Sequence, residues 1–179
     1  MNLPNQLTIA RMIAVPFFVV LYMMGYNLAA FLLFVIASFT DMLDGKIARK
    51  YNLITNFGKI MDPLADKILV YSAFVCMVEF GVVQGWMLII ILAREFVVSG
   101  MRTVAASEGT VIAADMAGKI KTVLQMIAVP LLILGTWPWL VVETIAQIFL
   151  WASLIMTVIS GINYIVKNKQ IFSMGKKES

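Results

Sequence analysis

The sequence predicts an all-α integral membrane protein, with six transmembrane helices in one domain, residues 1–179, and both termini in the cytoplasm. Three observations carry this expectation. The chain is 61% hydrophobic and 13% charged, with a mean hydropathy of +0.93, whereas a soluble domain is nearer half apolar and a quarter charged. Six apolar runs follow one another, each near the length that crosses a hydrocarbon core of roughly 30 Å. Lysine and arginine collect on alternate connections only.

The runs lie at about 7–25, 28–45, 62–82, 85–104, 116–135 and 141–166. The first follows "MNLPNQLTIARM", which lacks the basic region, short apolar core and small-residue cleavage site of a signal peptide, so it is expected to be retained. "GYN" at 25–27 separates it from the second run, which leads into the charged stretch 46–61. The third is expected to start with Asp62 as helix cap and Pro63 in the first turn, and to end at "FGVVQG", 80–85. "SEGTVIAAD" at 107–115 closes the fourth. "GTWPW" at 135–139 closes the fifth and reads as an aromatic anchor at the outer interface. The sixth leads into a basic tail, 168–179, expected to fray.

Charge sets the orientation. With both termini inside, Lys46, Arg49, Lys50 and Lys59 fall in one cytoplasmic connection. Arg102, Lys119 and Lys121 flank the next, and Lys167, Lys169, Lys176 and Lys177 belong to the tail. Arg11, Lys67 and Arg94 lie toward the same layer, while the outer connections carry Glu79 and Glu143 without a lysine or arginine. This is the positive-inside pattern.

Composition also excludes chemistry. The chain has no histidine, which removes His-based triads, His-ligated zinc and imidazole acid–base catalysis. Cys76 is the only cysteine and reads as a small buried apolar residue. Reaction chemistry must therefore run on carboxylates, basic residues, backbone and metal.

Asp41, Asp44, Asp62 and Asp66 are the groups that ask for such chemistry. Residues 28–40 span about 20 Å as a helix, so Asp41 falls about 10 Å short of the cytoplasmic edge of the hydrocarbon core. Counting back from Val82 puts Asp66 at a similar depth. Asp41 and Asp44 share a face at i,i+3 near the end of helix two, and Asp62 and Asp66 at i,i+4 near the start of helix three. A short connection is expected to make those helices antiparallel neighbours, so that the four carboxylates converge. One or two aspartates at a helix end mark a water boundary. Four at helical spacing within 26 residues, inside the leaflet, require compensating cations. Two divalent metals are the simplest compensation, and all-oxygen ligation favours Mg²⁺ or Mn²⁺. Gly45, Ala48 and Gly58 allow a bulky ligand to approach the backbone, and Arg49 can grip phosphate bidentately. Small residues beside metal and arginine read as a nucleotide diphosphate site.

The run Asp41-x-x-Asp44-Gly45-x-x-Ala48-Arg49, followed after eight residues by Gly58-x-x-x-Asp62-x-x-x-Asp66, matches the signature of the CDP-alcohol phosphotransferase family at all eight fixed positions. The chain resembles that family over most of its length, through "NLPNQLTIARMIAVP", "DPLADKILV", "ILAREFVVSGMR" and "GKIKTVLQM". The resemblance implies a six-helix, homodimeric enzyme of the bacterial cell membrane, multi-pass, with its active site facing the cytoplasm. It implies that two divalent cations on Asp41, Asp44, Asp62 and Asp66 bind CDP-diacylglycerol. Asn5, Thr8, Asp41, Gly45, Ala48, Arg49 and Gly58 would contact the CDP-lipid, and Asp66 would be the catalytic base or a ligand only. The expected reaction is transfer of the phosphatidyl group to glycerol 3-phosphate, releasing CMP. Partners are these substrates and membrane lipids, with no nucleic acid.

A doubly charged acceptor phosphate wants convergent basic residues, for which Arg102, Lys119, Lys121 and the deeper Arg94 are candidates; their alternative role is topology alone. Inositol phosphate, serine or phosphatidylglycerol remain alternative acceptors. A divalent-cation channel or carrier is the alternative of another class. It would explain the aspartates but neither the Gly-x-x-Ala-Arg spacing nor their confinement to one leaflet.

Overall fold

A computed structural model describes the backbone of residues 3–50, 56–110, 112, 115–135 and 140–170; the side chains of 3–4, 41–50, 56–60, 63 and 140 lie outside the described residues. The described chain is helical: α1 Leu3–Met23, α2 Asn27–Lys50, α3 Asn56–Glu79, α4 Gly85–Ser107, α5 Met116–Gly135 and α6 Leu140–Lys167. Each expected run thus contains one helix, and α1, α5 and α6 are long and apolar enough to cross a membrane. The apolar part of α2 is shorter, Asn27–Thr40.

Three helix ends share one device. After α1 the Tyr26 amide donates to the Leu21 carbonyl at 2.9 Å and the Gly25 amide to Tyr22 at 3.0 Å. The same pair of bonds recurs after α3 around Gly81 and after α4 around Gly109. These are Schellman caps, and they need a left-handed residue, supplied by Gly25 at φ 79° and Gly81 at φ 70°. The breaks at "GYN", "FGVVQG" and "SEGT" therefore stop helices by satisfying their last carbonyls.

Two expectations at helix ends are corrected. Helix α2 continues through Lys50, so Asp41 and Asp44 belong to its interior. Helix α3 begins at Asn56, so Asp62 is not its cap and Pro63 is not in its first turn. The charged stretch 46–61 looked like a loop because it is polar. Its residues 46–50 and 56–61 are nevertheless helical, since at a water interface a helix needs no apolar side chains.

The chain divides into two compact units, 1–83 with 129–145, and 84–128 with 146–179. In the first, α1 packs against both α2 and α3. Its inward stripe, Thr8, Arg11, Val15, Phe18 and Tyr22, is buried. Phe18 lies 6.0 Å from the rings of both Tyr22 and Phe34, and Tyr22 is 5.6 Å edge-on to Phe80. Cys76 is buried and free, as expected.

In the second unit the inward stripe of α4 is Met87, Leu88, Ile91, Val98, Met101 and Ala105. Val98, Met101 and Ala105 pack with Tyr164 of α6. Buried α6 residues include Ser153, Thr157 and Ser160. Ser153 and Thr157 donate to the Leu150 and Ser153 carbonyls at 2.7 Å, within their own helix. Meanwhile Phe17, Ile89, Phe96, Ile148 and Val166 are exposed. Polar groups inward and large apolar groups outward is the arrangement of a protein whose solvent is lipid. The chain is a membrane protein.

Phe18→Ala should therefore lower the thermal unfolding midpoint of the detergent-solubilised protein by about 5 °C or more, because it empties a fully buried site. Phe17→Ala, one residue away and exposed, should leave the midpoint within about 2 °C.

Candidate functional site

The sequence-predicted residues fall into two groups, one in each unit. The first is built on α1 and α3. Asn5, Thr8 and Arg11 follow one another at i, i+3 and i+6 on α1, and Thr8 and Arg11 are buried. On α3, Asp62 and Asp66 are separated by one turn and are both half-buried. The Thr8 hydroxyl donates to Asp62 Oδ1. This bond draws the start of α1 onto the carboxylate pair, although the two residues are 54 positions apart in sequence. A hydroxyl on one oxygen orients the carboxylate and leaves its other lone pairs for a cation.

Asp41, Asp44, Gly45, Ala48 and Arg49 share helix α2, and Gly58 is on α3, but their side chains lie outside the described residues. Among the described residues no three carboxylate, thiol or imidazole groups gather into a metal-binding set.

The second group interrupts the apolar stripe of α4. Between Ile91 and Val98, the positions one turn on from Ile91 and one turn before Val98 are Arg94 and Glu95. Glu95 Oε2 accepts from Lys121 Nζ of α5 at 2.5 Å and from Arg94 Nη1 at 3.3 Å. The three side chains are only 10%, 13% and 4% exposed for Arg94, Glu95 and Lys121. Arg94 Nη2 donates to Ser160 Oγ of α6 at 2.5 Å, while Arg94 Nε is buried with no hydrogen-bond partner among the described residues. Four groups from three helices thus form one network with two cations and one anion.

Glycines shape the place of Arg94. A Cβ on Gly118 would come within 2.9 Å of Arg94 Nη2, and one on Gly161 within 3.1 Å of its Cγ. A side chain at Gly118 would shift the tip of the arginine and one at Gly161 would press on its stem, so the two glycines leave a slot for it.

The other basic candidates stand apart from this network. Arg102 is exposed, with its guanidinium carbon 5.5 Å from the Tyr164 ring centroid and Nε donating to the Tyr164 hydroxyl at 3.2 Å. Lys119 is exposed, two positions from Lys121 and so on a different face of α5. Lys167 pairs with Asp115 at 3.2 Å on the surface, a contact of small energetic weight.

Sequence reasoning missed Glu95, Ser160 and the two glycines. Glu95 carried a usable signal. An acid within an apolar helix demands a partner, and "LAREFVV" places one beside an arginine. The partner Lys121 and the slot at Gly118 and Gly161 arise from packing and had no local signal.

Comparison with known proteins closes the description. The model of the CDP-alcohol phosphatidyltransferase family matches residues 1–159. The chain is 45% identical to the CDP-diacylglycerol–glycerol-3-phosphate 3-phosphatidyltransferase of Bacillus subtilis, covering 93% of this chain and 95% of that protein. It is 42% identical to the protein of the same name from Rickettsia typhi, over 96% of this chain and 99% of that one. The corresponding Salmonella paratyphi A protein is 35% identical over 92% and 93%.

Proposed function

The chain belongs to the CDP-alcohol phosphatidyltransferase family, and from that premise we propose that it transfers the phosphatidyl group of CDP-diacylglycerol to glycerol 3-phosphate, yielding phosphatidylglycerophosphate and CMP. The observation that carries this reading is the near full-length match to relatives named for that reaction. It sets aside the cation channel or carrier. The family match runs across both units, which supports reading 1–179 as one catalytic domain.

Asp41, Asp44, Asp62 and Asp66 would hold two divalent cations, Mg²⁺ or Mn²⁺. Such cations, when bound, neutralise the diphosphate and the charge that develops on departing CMP. The half-buried Asp62 and Asp66, with the Thr8 hydroxyl orienting Asp62, are a donor set of the right chemistry. Asn5, Thr8, Gly45, Ala48, Arg49 and Gly58 would contact the cytidine diphosphate. A hydroxyl of glycerol 3-phosphate attacks the lipid-linked phosphorus; the new P–O bond forms as the bond to the bridging oxygen breaks, and CMP leaves with that oxygen. Asp66 accepts the hydroxyl proton. Arg94 and Lys121 bind the acceptor's phosphate, with Arg102 and Lys119 as peripheral attraction.

The protein would cross the bacterial cell membrane six times with both termini and the site toward the cytoplasm, as a homodimer. Helices of 20 to 28 residues are about 30 Å or longer, which supports six crossings, and the distribution of lysine and arginine supports the orientation.

Three outcomes are expected from CMP release measured on the purified enzyme. Chelation with EDTA should abolish turnover and Mg²⁺ or Mn²⁺ should restore it; full turnover in a metal-free preparation would sink the two-metal assignment. Thr8→Val should raise the Mg²⁺ concentration for half-maximal rate by about tenfold, with rate recovered at excess metal, since losing a partner that orients a ligand weakens a site about 10–100-fold. Lys121→Met should raise the KM for glycerol 3-phosphate by about tenfold or more, the worth of one charge-assisted contact, while the KM for CDP-diacylglycerol stays within about twofold. If serine or inositol phosphate is consumed and glycerol 3-phosphate is not, the family stands and the acceptor assignment falls.

A further inference from the structure

We infer that Glu95 is a positioning residue of the acceptor site, which aims the Lys121 ammonium and, together with the Gly118–Gly161 slot, the Arg94 guanidinium at the acceptor phosphate. This inference rests on the reading of Arg94 and Lys121 as the phosphate-binding pair. It adds an acid to a site expected to be basic.

The network shows why an acid belongs there. Lys121 hangs from α5 on a long flexible stem, and its ammonium is buried. Without an anchor such a side chain loses much rotamer freedom when it binds a ligand. Glu95 Oε2 accepts from it at 2.5 Å and so fixes the direction of the stem; an ammonium carries three donors, so a bond to Glu95 is compatible with one to a phosphate oxygen. Arg94 is held at three places. Nη1 points to Glu95, Nη2 to Ser160, and the side chain runs past Gly118 and Gly161. That leaves the buried, unpartnered Nε as a donor that a ligand oxygen can fill. Glu95 Oε2 touches both cations, so it couples their positions.

A purely structural salt bridge would make a different molecule. Removing Glu95 would then lower stability but leave the KM of the acceptor alone. A counter-ion that merely competes with substrate would act in the opposite sense, and its removal would tighten acceptor binding.

The test is the steady-state rate of CMP release by the full-length enzyme with Mg²⁺, varying glycerol 3-phosphate at saturating CDP-diacylglycerol and then the reverse. Glu95→Gln should raise the KM for glycerol 3-phosphate by about tenfold and leave the KM for CDP-diacylglycerol within about twofold. Glu95→Asp, which keeps the charge, should recover part of the loss. Because Glu95 acts through Lys121, Glu95→Gln added to Lys121→Met should cost less than a further threefold. Gly118→Ala provides a second route, since it presses on the movable tip of Arg94; it should raise the same KM at an unchanged or higher melting temperature. Should Glu95→Gln not fold, Glu95→Asp and Gly118→Ala decide by the same criterion.

An unchanged or lower KM for glycerol 3-phosphate, equal changes for both substrates, or full additivity with Lys121→Met would overturn the positioning role. The underlying reading fails separately. If Lys121→Met alone leaves the acceptor KM unchanged, the phosphate is bound elsewhere. If Lys121→Met raises it and Glu95→Gln and Gly118→Ala do not, the phosphate site stands and Glu95 does not position it.

Discussion

Lipid offers neither hydrogen bonds nor counter-charge, so a polar group on the inward face of these helices must be matched by another part of the protein or by a ligand. That constraint orders the structure. It explains why large apolar side chains such as Phe17, Ile89, Phe96 and Ile148 can face outward while Thr8, Arg11, Lys121, Gln125 and Ser160 are buried. It explains why Ser153 and Thr157 spend their hydroxyl protons on carbonyls of their own helix. It also explains why Arg94, Glu95 and Lys121 form one network: breaking a buried pair by removing one partner typically costs about 3–5 kcal/mol. Helix packing here is the means by which charges on separate helices find one another.

Among the described residues, one unit sets carboxylates side by side and the other sets cations side by side. In the first, Asp62 and Asp66 lie one turn apart on α3, and the described hydrogen bond to Asp62 comes from a neutral hydroxyl, which orients the carboxylate without cancelling its charge. In the second, two cations share one carboxylate. Neighbouring carboxylates in a half-buried setting favour binding of cations, and neighbouring cations that of an anion. The proposed reaction uses both. Divalent metals answer the aspartates, and the phosphate of the acceptor answers Arg94 and Lys121. A site that balances its charge internally would be more stable and less able to bind either.

Much of the fold was legible because lipid imposes a strong pattern. Six apolar runs gave six helices, and the glycine-containing breaks gave the caps at Gly25, Gly81 and Gly109. The limits of α2 and α3 were misread at Asp41, Asp44 and Asp62, since hydropathy marks where a helix leaves hydrocarbon and not where it ends. The aspartate spacing announced a metal-and-phosphate chemistry without any tertiary information, because i,i+3 and i,i+4 are local relations. That Thr8 would meet Asp62 had no local signal, and the family pattern assigned Thr8 to the CDP-lipid instead. The partner of Glu95 depends on the packing of α4 against α5, and no local rule supplies it. Of four basic candidates, only Arg94 and Lys121 share a network. The four could not be sorted from sequence because positive charge near a cytoplasmic helix end is required by topology whether or not it binds anything.

The presence of an acid among those cations bears on which acceptor the network favours. Two cations alone would attract any anion, and burying both unpaired would cost several kcal/mol each. Glu95 lies between them, and Gly118 and Gly161 leave the room that the arginine side chain occupies. A phosphate monoester brings about two negative charges and several oxygens to such a site. Serine brings no net charge, and its own ammonium would be drawn to Glu95 and repelled by Lys121. Inositol phosphate presents the same monoester, so the network accounts for the choice of a phosphorylated alcohol over a free one. The choice between glycerol and inositol must then lie in groups that meet the carbon skeleton. Charge selects the class of acceptor here, and shape selects its member.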